Sequence, residues 1–300
     1  MKGLFINSRR AQCSIYESGV MVYDILRKRY NLDYLEPIPV IESIPDGYDF
    51  TVFNWHFVTM PLDTKKLHTL KGIKIAIVLE TLPKNPFVTS IPTNFDEYMV
   101  LDPTMNHSDS RVNAFPRPLE MIDVPPYNSE ATVIGSFGFP TPGKGFDLLV
   151  EQVNKEYDQA VVRLNIPVGT HCQNIGQSLV AQCVSKAKPG ITIIASHDYF
   201  NKYELIKWCS TNTINCFFYQ RQQPGLSATT DQAIISGRPL LVSECETFRH
   251  IHQYISPFPK TTIRRAITES LTGVKTMQKD WSSENFNRIF EEMLAKHGKK

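Results

Sequence analysis

The chain is short of several features that would settle its class at once. Its six cysteines, Cys13, Cys172, Cys183, Cys209, Cys216 and Cys245, form no Cys-x-x-Cys pair. In a chain of this length that argues against a disulfide scaffold, and the thiols read as small apolar residues packed in cores. No run of 18 apolar residues occurs, so no segment qualifies as a membrane-spanning helix. The N-terminal MKGLFINSRR passes straight into a strand-like run that is too short for a secretory signal, which places the expected location in the cytoplasm. Neither G-x-G-x-x-G nor a Walker A loop is present, so the fingerprints of dinucleotide and P-loop sites are missing. An excess of charge is missing too. With 32 Lys and Arg against 30 Asp and Glu, the formal net charge is +2, and the balance does not announce a nucleic-acid binder. There is no low-complexity segment and no repeat of fixed period.

What is present is ordinary globular composition, 42% hydrophobic and 21% charged, in 300 residues. That length suits two domains, each able to bury its own core. Strand and helix signals alternate in both halves. Gly3–Asn7 reads as a strand, and Ser14–Arg29 as a helix whose apolar face carries Ile15, Val20, Val22, Tyr23, Ile25 and Leu26. Leu32–Leu35, Asp49–Asn54, Ile73–Leu79 and Tyr98–Leu101 read as further strands. The run IKIAIVL has the near-continuous apolar character of a strand buried on both faces. Four prolines within Phe115–Asn128 break the pattern and mark a boundary.

The alternation then restarts. Strands are expected at Ala131–Ser136, Ala160–Ile166, Ile191–Ser196, Ile214–Tyr219 and Pro239–Val242. Helices are expected at Gly145–Tyr157, Cys172–Ala187, Lys202–Ser210 and Ser227–Ser236. After a break at Pro259–Lys260, Ser283–Lys296 is an amphipathic helix. The expected architecture is α/β: two Rossmann-like domains, residues 1–125 and 126–280, with a closing helix in 281–300. Two such halves imply an interdomain cleft, with ligands beyond the carboxyl ends of the strands.

Four segments carry candidate chemistry. In IGSFGFPTPGKGFD (134–147), Gly135, Gly138, Gly143 and Gly145 allow backbone N–H groups to approach an anion, and Lys144 adds a positive charge near a helix start. Ser136 lies in the same stretch. In QPGLSATTDQAIISGRP (223–239), Ser227, Ala228, Thr229, Thr230 and Asp231 fall at the start of a helix, either as a cap or as a seat for a diphosphate. In SECETFRHIH (243–252), Arg249 supplies a bidentate fork suited to phosphate and His250 lies beside it. In CSIYESG (13–19), Glu17 and Gly19 occupy the first strand-to-helix turn. Asn54, His56, Glu80 and Asp102 follow later strands of the same half, and together suggest a polar acceptor pocket.

The runs IGSFGFPTPGKGFDLL, GLSATTDQAIISGRPLLVSECETFRHI and CSIYESGVMVYDIL resemble GT-B glycosyltransferases of the retaining type. The likeness is closest to a subgroup of bacteria and large-genome phages; it is specific over residues 131–255 and looser over 1–120. The resemblance implies transfer of a sugar from a nucleotide-diphosphate donor to an acceptor hydroxyl. It implies that Lys144 contacts the donor diphosphate and that Ser227–Thr230 wrap the phosphates, with Arg249 and His250 close by. Gly19 would complete the donor site from the first domain, and the closing helix would cross back to that domain. Two positions depart from the family pattern. Its paired glutamates are replaced by Pro224 and Gln232, and the usual arginine partner of the lysine is absent, with Arg163 or Arg249 as candidate substitutes. No Asp-x-Asp occurs, which fits an enzyme of this type working without a divalent metal or any cofactor beyond the donor. Glu17 or His56 is the expected acceptor-side base unless the leaving phosphate serves.

The acceptor is expected to be a surface glycan or, for a phage-encoded chain, a hydroxymethylated DNA base. For the latter, Arg9, Arg10, Arg27, Lys28, Arg29, Lys65, Lys66 and Lys71 would supply a phosphate-tracking surface. The alternatives are a non-catalytic sugar-nucleotide or glycan-binding protein of the same fold, favoured by the missing glutamates, and another two-domain Rossmann enzyme such as an epimerase or dehydrogenase.

Overall fold

A computed structural model describes the chain except residues 9–12, 37–39, 57–58, 61, 89–92, 169–174, 221–224 and 299–300. The chain divides into two compact units: Met1–Glu120 with Pro224–Leu226 and Asp280–Lys300, and Met121–Gln223 with Ser227–Lys279.

The first unit is built on strands β1 (Lys2–Ile6), β2 (Asn31–Leu35), β3 (Phe50–Phe53), β4 (Ile73–Val78), β5 (Glu97–Val100) and β6 (Val112–Ala114), with helix α1 (Ser14–Leu26) between the first two. They form one sheet in the order β2-β1-β3-β4-β5-β6, with every pair parallel. The sequence shows why both faces are covered. Along β4 and β5, Ile75, Ile77 and Met99 join one apolar cluster, and Ala76, Val78, Tyr98 and Val100 join the other. This is the period-two alternation of a strand with two buried faces.

The first cluster of this unit lies under α1, through Val22, Ile25 and Leu26, and under the last helix, α7 (Ser283–Ala295), through Phe286, Phe290, Met293 and Leu294. Each of those α7 side chains contributes about 1.5–3 kcal/mol by leaving water. The second face carries no α-helix among the described residues. It is closed by Ile41, Ile44, Trp55, Met60, Leu62, Leu67 and Leu70, from connections that include the 3-10 segments Ile41–Ser43 and Thr64–Thr69.

The second unit has strands β7 (Val133–Phe137), β8 (Ala160–Asn165), β9 (Ile191–Ser196), β10 (Ile214–Phe217) and β11 (Leu240–Val242). Their order is β11-β10-β7-β8-β9, again all parallel. Its helices are α2 (Phe146–Glu156), α3 (Ile175–Lys186), α4 (Lys202–Ser210), α5 (Thr229–Ile235) and α6 (Ile263–Asp280). Helix α4 starts where the sequence reading placed it, on a capping box in which Asn201 accepts from the Glu204 N–H and the Glu204 carboxylate accepts from the Asn201 N–H. Helices α2, α3 and α6 share one cluster that includes Phe146, Leu149, Val150, Cys183, Ile263 and Ala266. The aromatic rings of Phe137, Phe217 and Trp208 form a second packed group, with centroids 5.2–6.0 Å apart.

The 18-residue helix α6 has no counterpart in the sequence expectations. Its buried stripe, Ile263, Ala266, Ser270, Gly273, Val274 and Met277, has helical spacing but is made largely of small residues, so its apolar signal is weak. Strand β6 was also not anticipated; it has three residues, all partly buried. Helix α5 is two residues shorter at its start than expected. The first residues of the expected helix Cys172–Ala187, including Cys172, lie outside the described residues. Cys13, Cys183, Cys209, Cys216 and Cys245 are free thiols, and burial pushes Cys183 up to about 11 and Cys216 well above the usual thiol range.

Candidate functional site

The polar groups at the carboxyl end of the second sheet converge on one side chain. The loop after β7 reverses direction through Gly143 and Gly145, both at positive φ, and hands over to α2 with Gly145 as its N-cap at φ 65°. A Cβ on Gly145 would stand 1.9 Å from the Phe218 carbonyl oxygen, so only glycine lets this loop lie against the residues that prolong β10. The Gln220 N–H donates to Gly143 O at 2.8 Å and fastens the two segments together. Between the glycines, Lys144 is carried inward and retains 8% of its exposure.

The Lys144 Nζ donates to Tyr219 Oη at 2.8 Å and lies 4.1 Å from the centre of that ring. Among the described residues no carboxylate lies within ion-pair distance of Lys144. Tyr219 Oη is 3.2 Å from Thr229 Oγ1, which is 2.7 Å from Ser227 Oγ. The direction of this chain follows from its first member. An ammonium only donates, so Tyr219 Oη accepts from Lys144, and satisfying its own proton within this network requires Thr229 Oγ1 to accept it. Thr229 then donates to Ser227, whose proton is left for a further acceptor. The network therefore offers donors at both ends: the other ammonium protons of Lys144 and the Ser227 hydroxyl. Burying an ammonium beside neutral partners alone costs several kcal/mol, a cost that an anion at this point would offset.

The start of α5 is held from beneath. Thr230 Oγ1 donates to Ser227 O at 2.9 Å and is 3.4 Å from His250 Nε2. Since the Thr230 proton is already used, the His250 contact has Nε2–H as donor. His250 is fully buried. The Ser227 N–H donates to Thr247 O at 3.2 Å, linking this turn to the 3-10 segment Glu246–Phe248. Arg249 follows that segment and donates from Nη1 to Glu246 O at 3.0 Å. Ala228 is the N-cap of α5 and no side chain caps it, so Ser227 and Asp231 do not form the cap that the sequence allowed. Asp231 lies within the helix and is buried.

Other expected positions are placed differently. Gly135 and Ser136 are residues of β7, not of the loop. Gly135 is needed for packing, because its Cβ would lie 2.0 Å from Asn212 Nδ2. Arg163 does not stand in for a second cation beside Lys144. It donates to Thr211 Oγ1 and Asn212 Oδ1, both at 2.8 Å, and stacks on Trp208 at 4.8 Å. Pro224 lies outside the described residues, while Gln232 is buried within α5.

In the first unit, Glu17 is in the first turn of α1 and Gly19 is inside that helix. A Cβ at Gly19 would be 2.3 Å from Asn54 Nδ2 and 2.7 Å from the Asn7 amide. Asn54 Nδ2 donates to Asn7 Oδ1 and to Ile15 O, each at 2.8 Å, so this pair ties the ends of β1 and β3 to α1. Asp102 is buried and accepts from Thr81 Oγ1, Thr104 N and Thr104 Oγ1. Asn54 and Asp102 are thus structural ties, whereas His56 and Glu80 remain partly exposed with Nε2 and Oε2 3.9 Å apart.

Tyr219 is the member of the second unit's network that the sequence reading passed over. The signal was there: a tyrosine ending the run NCFFY, where an apolar strand reaches its carboxyl end.

No family profile matches the chain, and no curated protein matches it. Solved structures do. HepE from Anabaena, crystallised with UDP and glucose, superposes with a TM-score of 0.68 at 10% identity, covering 99% of this chain and 100% of HepE. OtsA gives 0.64 at 10% identity, covering 98% and 99%. A glycosyltransferase from Rickettsia africae gives 0.62 at 9%, covering 100% and 99%. The chain has the GT-B fold. Both sheets of that fold are all-parallel here, and the Lys144 network stands at the carboxyl end of the second, where open α/β sheets bind ligands. No helix among the described residues is long and apolar enough to cross a membrane.

Proposed function

We propose that the protein is a glycosyltransferase that moves a sugar from a nucleoside-diphosphate donor to an acceptor hydroxyl. The observation that carries this reading is Lys144: a buried ammonium held by a neutral phenol, with no carboxylate in ion-pair reach among the described residues and hydroxyl donors beside it. The fold supports it, since HepE, of the same fold, was crystallised with UDP-glucose.

Cleavage of the sugar–phosphate bond builds negative charge on the leaving diphosphate. Donors fixed in advance at that oxygen lower the barrier because they need not reorganise during reaction. Lys144 and Ser227 are the groups we assign to the diphosphate, with Thr229 behind them donating to Ser227. Because α5 has seven residues and no side-chain cap, we give this task to side-chain donors more than to a helix dipole. Arg249 and His250 are assigned to the edge of the same site. On the acceptor side we assign Glu17 and His56, with Glu80 oriented toward the His56 imidazole. The resemblance adds retention of anomeric configuration and turnover without a divalent metal. Proton NMR of the product anomer and turnover in excess EDTA test these two points.

For the acceptor we favour a glycan hydroxyl over DNA. Of the basic residues that would track a phosphate backbone, Arg27 pairs with Asp24 at 3.0 Å, and Lys28 and Arg29 pair with Glu120 and Glu291 at 2.8 Å. Lys66 pairs with Glu42, and Lys71 lies 3.8 Å from Asp46. Arg9 and Arg10 lie outside the described residues. Cations matched locally, as these five are, give little of the counterion release that drives DNA binding.

The deciding experiment incubates the protein with UDP- and GDP-sugars and measures release of the nucleoside diphosphate. Release that rises with added oligosaccharide supports transfer. Tight binding without release identifies the non-catalytic sugar-nucleotide protein instead, and the absence of both ends the proposal.

A further inference from the structure

Tyr219 is almost fully buried, and every part of it is held. Its ring packs against Phe248 with centroids 4.9 Å apart and against Phe217 at 6.2 Å. Its carbonyl oxygen accepts from Ser243 Oγ at 2.6 Å, and the next residue, Gln220, is fastened to Gly143. A side chain fixed this firmly presents its hydroxyl at one point, and that hydroxyl bonds to two segments at once. One is the glycine loop carrying Lys144; the other is the turn carrying Ser227 and Thr229.

We infer that Tyr219 is the positioning residue of the anion site: it orients the Lys144 ammonium through its ring and hydroxyl, and its phenol proton sets the polarity of the Thr229–Ser227 pair. Lysine has four rotatable side-chain bonds and a compact charge, so it does not stay in one geometry unless something holds it. The ring face attracts the ammonium, and the hydroxyl occupies one of its three protons, leaving the others for a ligand. The hydroxyl then donates to Thr229, so Thr229 donates to Ser227, and Ser227 keeps a free donor. Without the phenol, Thr229 Oγ1 no longer receives that proton and is free to accept from Ser227 instead, so the order of donors is lost. The role is particular to a hydroxyl on an aromatic ring. A phenylalanine retains the cation–π contact and the packing but neither orders the hydroxyls nor accepts from the ammonium.

The inference rests on the proposed donor-diphosphate role of Lys144, and its test separates the two. Calorimetric titration of the full chain with UDP, GDP, and the matching nucleoside uses wild type, Lys144→Ala, Tyr219→Phe and the double variant. Tyr219→Phe is expected to weaken the diphosphate about tenfold while leaving the nucleoside unchanged. The double variant is expected to lose less than the sum of the two single losses, because part of the effect of Tyr219 runs through the lysine and part through the Thr229–Ser227 pair. Equal weakening of nucleoside and diphosphate, or losses that add in full in the double variant, overturns the positioning role and leaves the donor reading intact. An unchanged Tyr219→Phe overturns it as well. If wild type binds neither diphosphate, the donor reading fails and this inference falls with it. Tyr219→Ala, which also removes the ring, is expected to be worse than Tyr219→Phe; thermal unfolding without ligand shows whether either variant remains folded.

Discussion

The two sheets are alike in parallel pairing and in their apolar strands, yet their carboxyl ends use polar residues in opposite ways. In the first unit, Asn7 and Asn54 bond to each other and to α1, and Asp102 is spent on Thr81 and Thr104. Those groups close the sheet. In the second unit, Lys144 is buried against a phenol, and the hydroxyls behind it run in one direction, ending on an open donor. Polar residues at a strand end therefore do not mark a site by their presence. What distinguishes a site is a surplus of donors over acceptors that the fold itself does not consume.

The comparison can be broken most severely at Gly145. Gly145→Ala places a Cβ against the Phe218 carbonyl oxygen and a side chain at φ 65°. The expected loss is about 4 kcal/mol in unfolding free energy by urea titration, and a loss below about 1 kcal/mol would show that the loop adapts freely.

Next in size is Lys144→Ala. The expected drop in kcat/KM is about 100- to 1000-fold, measured with the sugar donor that proves active. The unliganded protein is expected to unfold at the same or a higher temperature, since a buried charge without a counter-ion is a burden on the fold. Activity within twofold of wild type removes Lys144 from the leaving-group role.

The matching change in the first unit is Gly19→Ala, which drives a methyl group into the Asn7–Asn54 pair. Part of that cost is returned by the better helix propensity of alanine, so the expected net loss is about 1–2 kcal/mol. A stabilised variant would show that the amide pair is not what holds α1.

The smallest effect concerns Asp109. Hydrogen bonds from the Arg111 guanidinium hold its carboxyl down at about 2. A depressed carboxyl stabilises the folded state above its ordinary value near 3.9, and that contribution fades as pH falls toward 2. Asp109→Asn is therefore expected to cost less than about 1 kcal/mol at pH 7, because the pair is partly exposed. The deficit should shrink as pH falls below about 4 and vanish only as pH passes below about 2, followed in a series of urea titrations. A deficit that stays constant with pH would assign it to neutral hydrogen bonds.

How much of this was legible in advance differs by element. Strands such as Ile73–Val78 were readable because both faces are apolar. The helix α6 was missed because its buried stripe relies on small residues, which carry little hydrophobic signal but permit close packing. The three-residue β6 gave too short a pattern to detect. Within the site, Lys144 and the hydroxyl-rich turn could be named from composition and order alone. Gly135, Gly19 and Asn54 look equally suggestive in the sequence, and the structure shows the two glycines tight against neighbouring asparagines and Asn54 bonded to Asn7 and Ile15. Tyr219 looks like one more aromatic at the end of a strand, yet it joins the two halves of the network.

The sequence by itself determined the alternation of strands and helices and the residue types available at the strand ends, because these depend on local periodicity and on glycine and proline placement. Only the tertiary structure decided which polar groups satisfy one another. Hydrogen-bond partners such as Lys144 and Tyr219 stand 75 positions apart, and whether a buried donor is consumed or left open depends on geometry that no local pattern encodes.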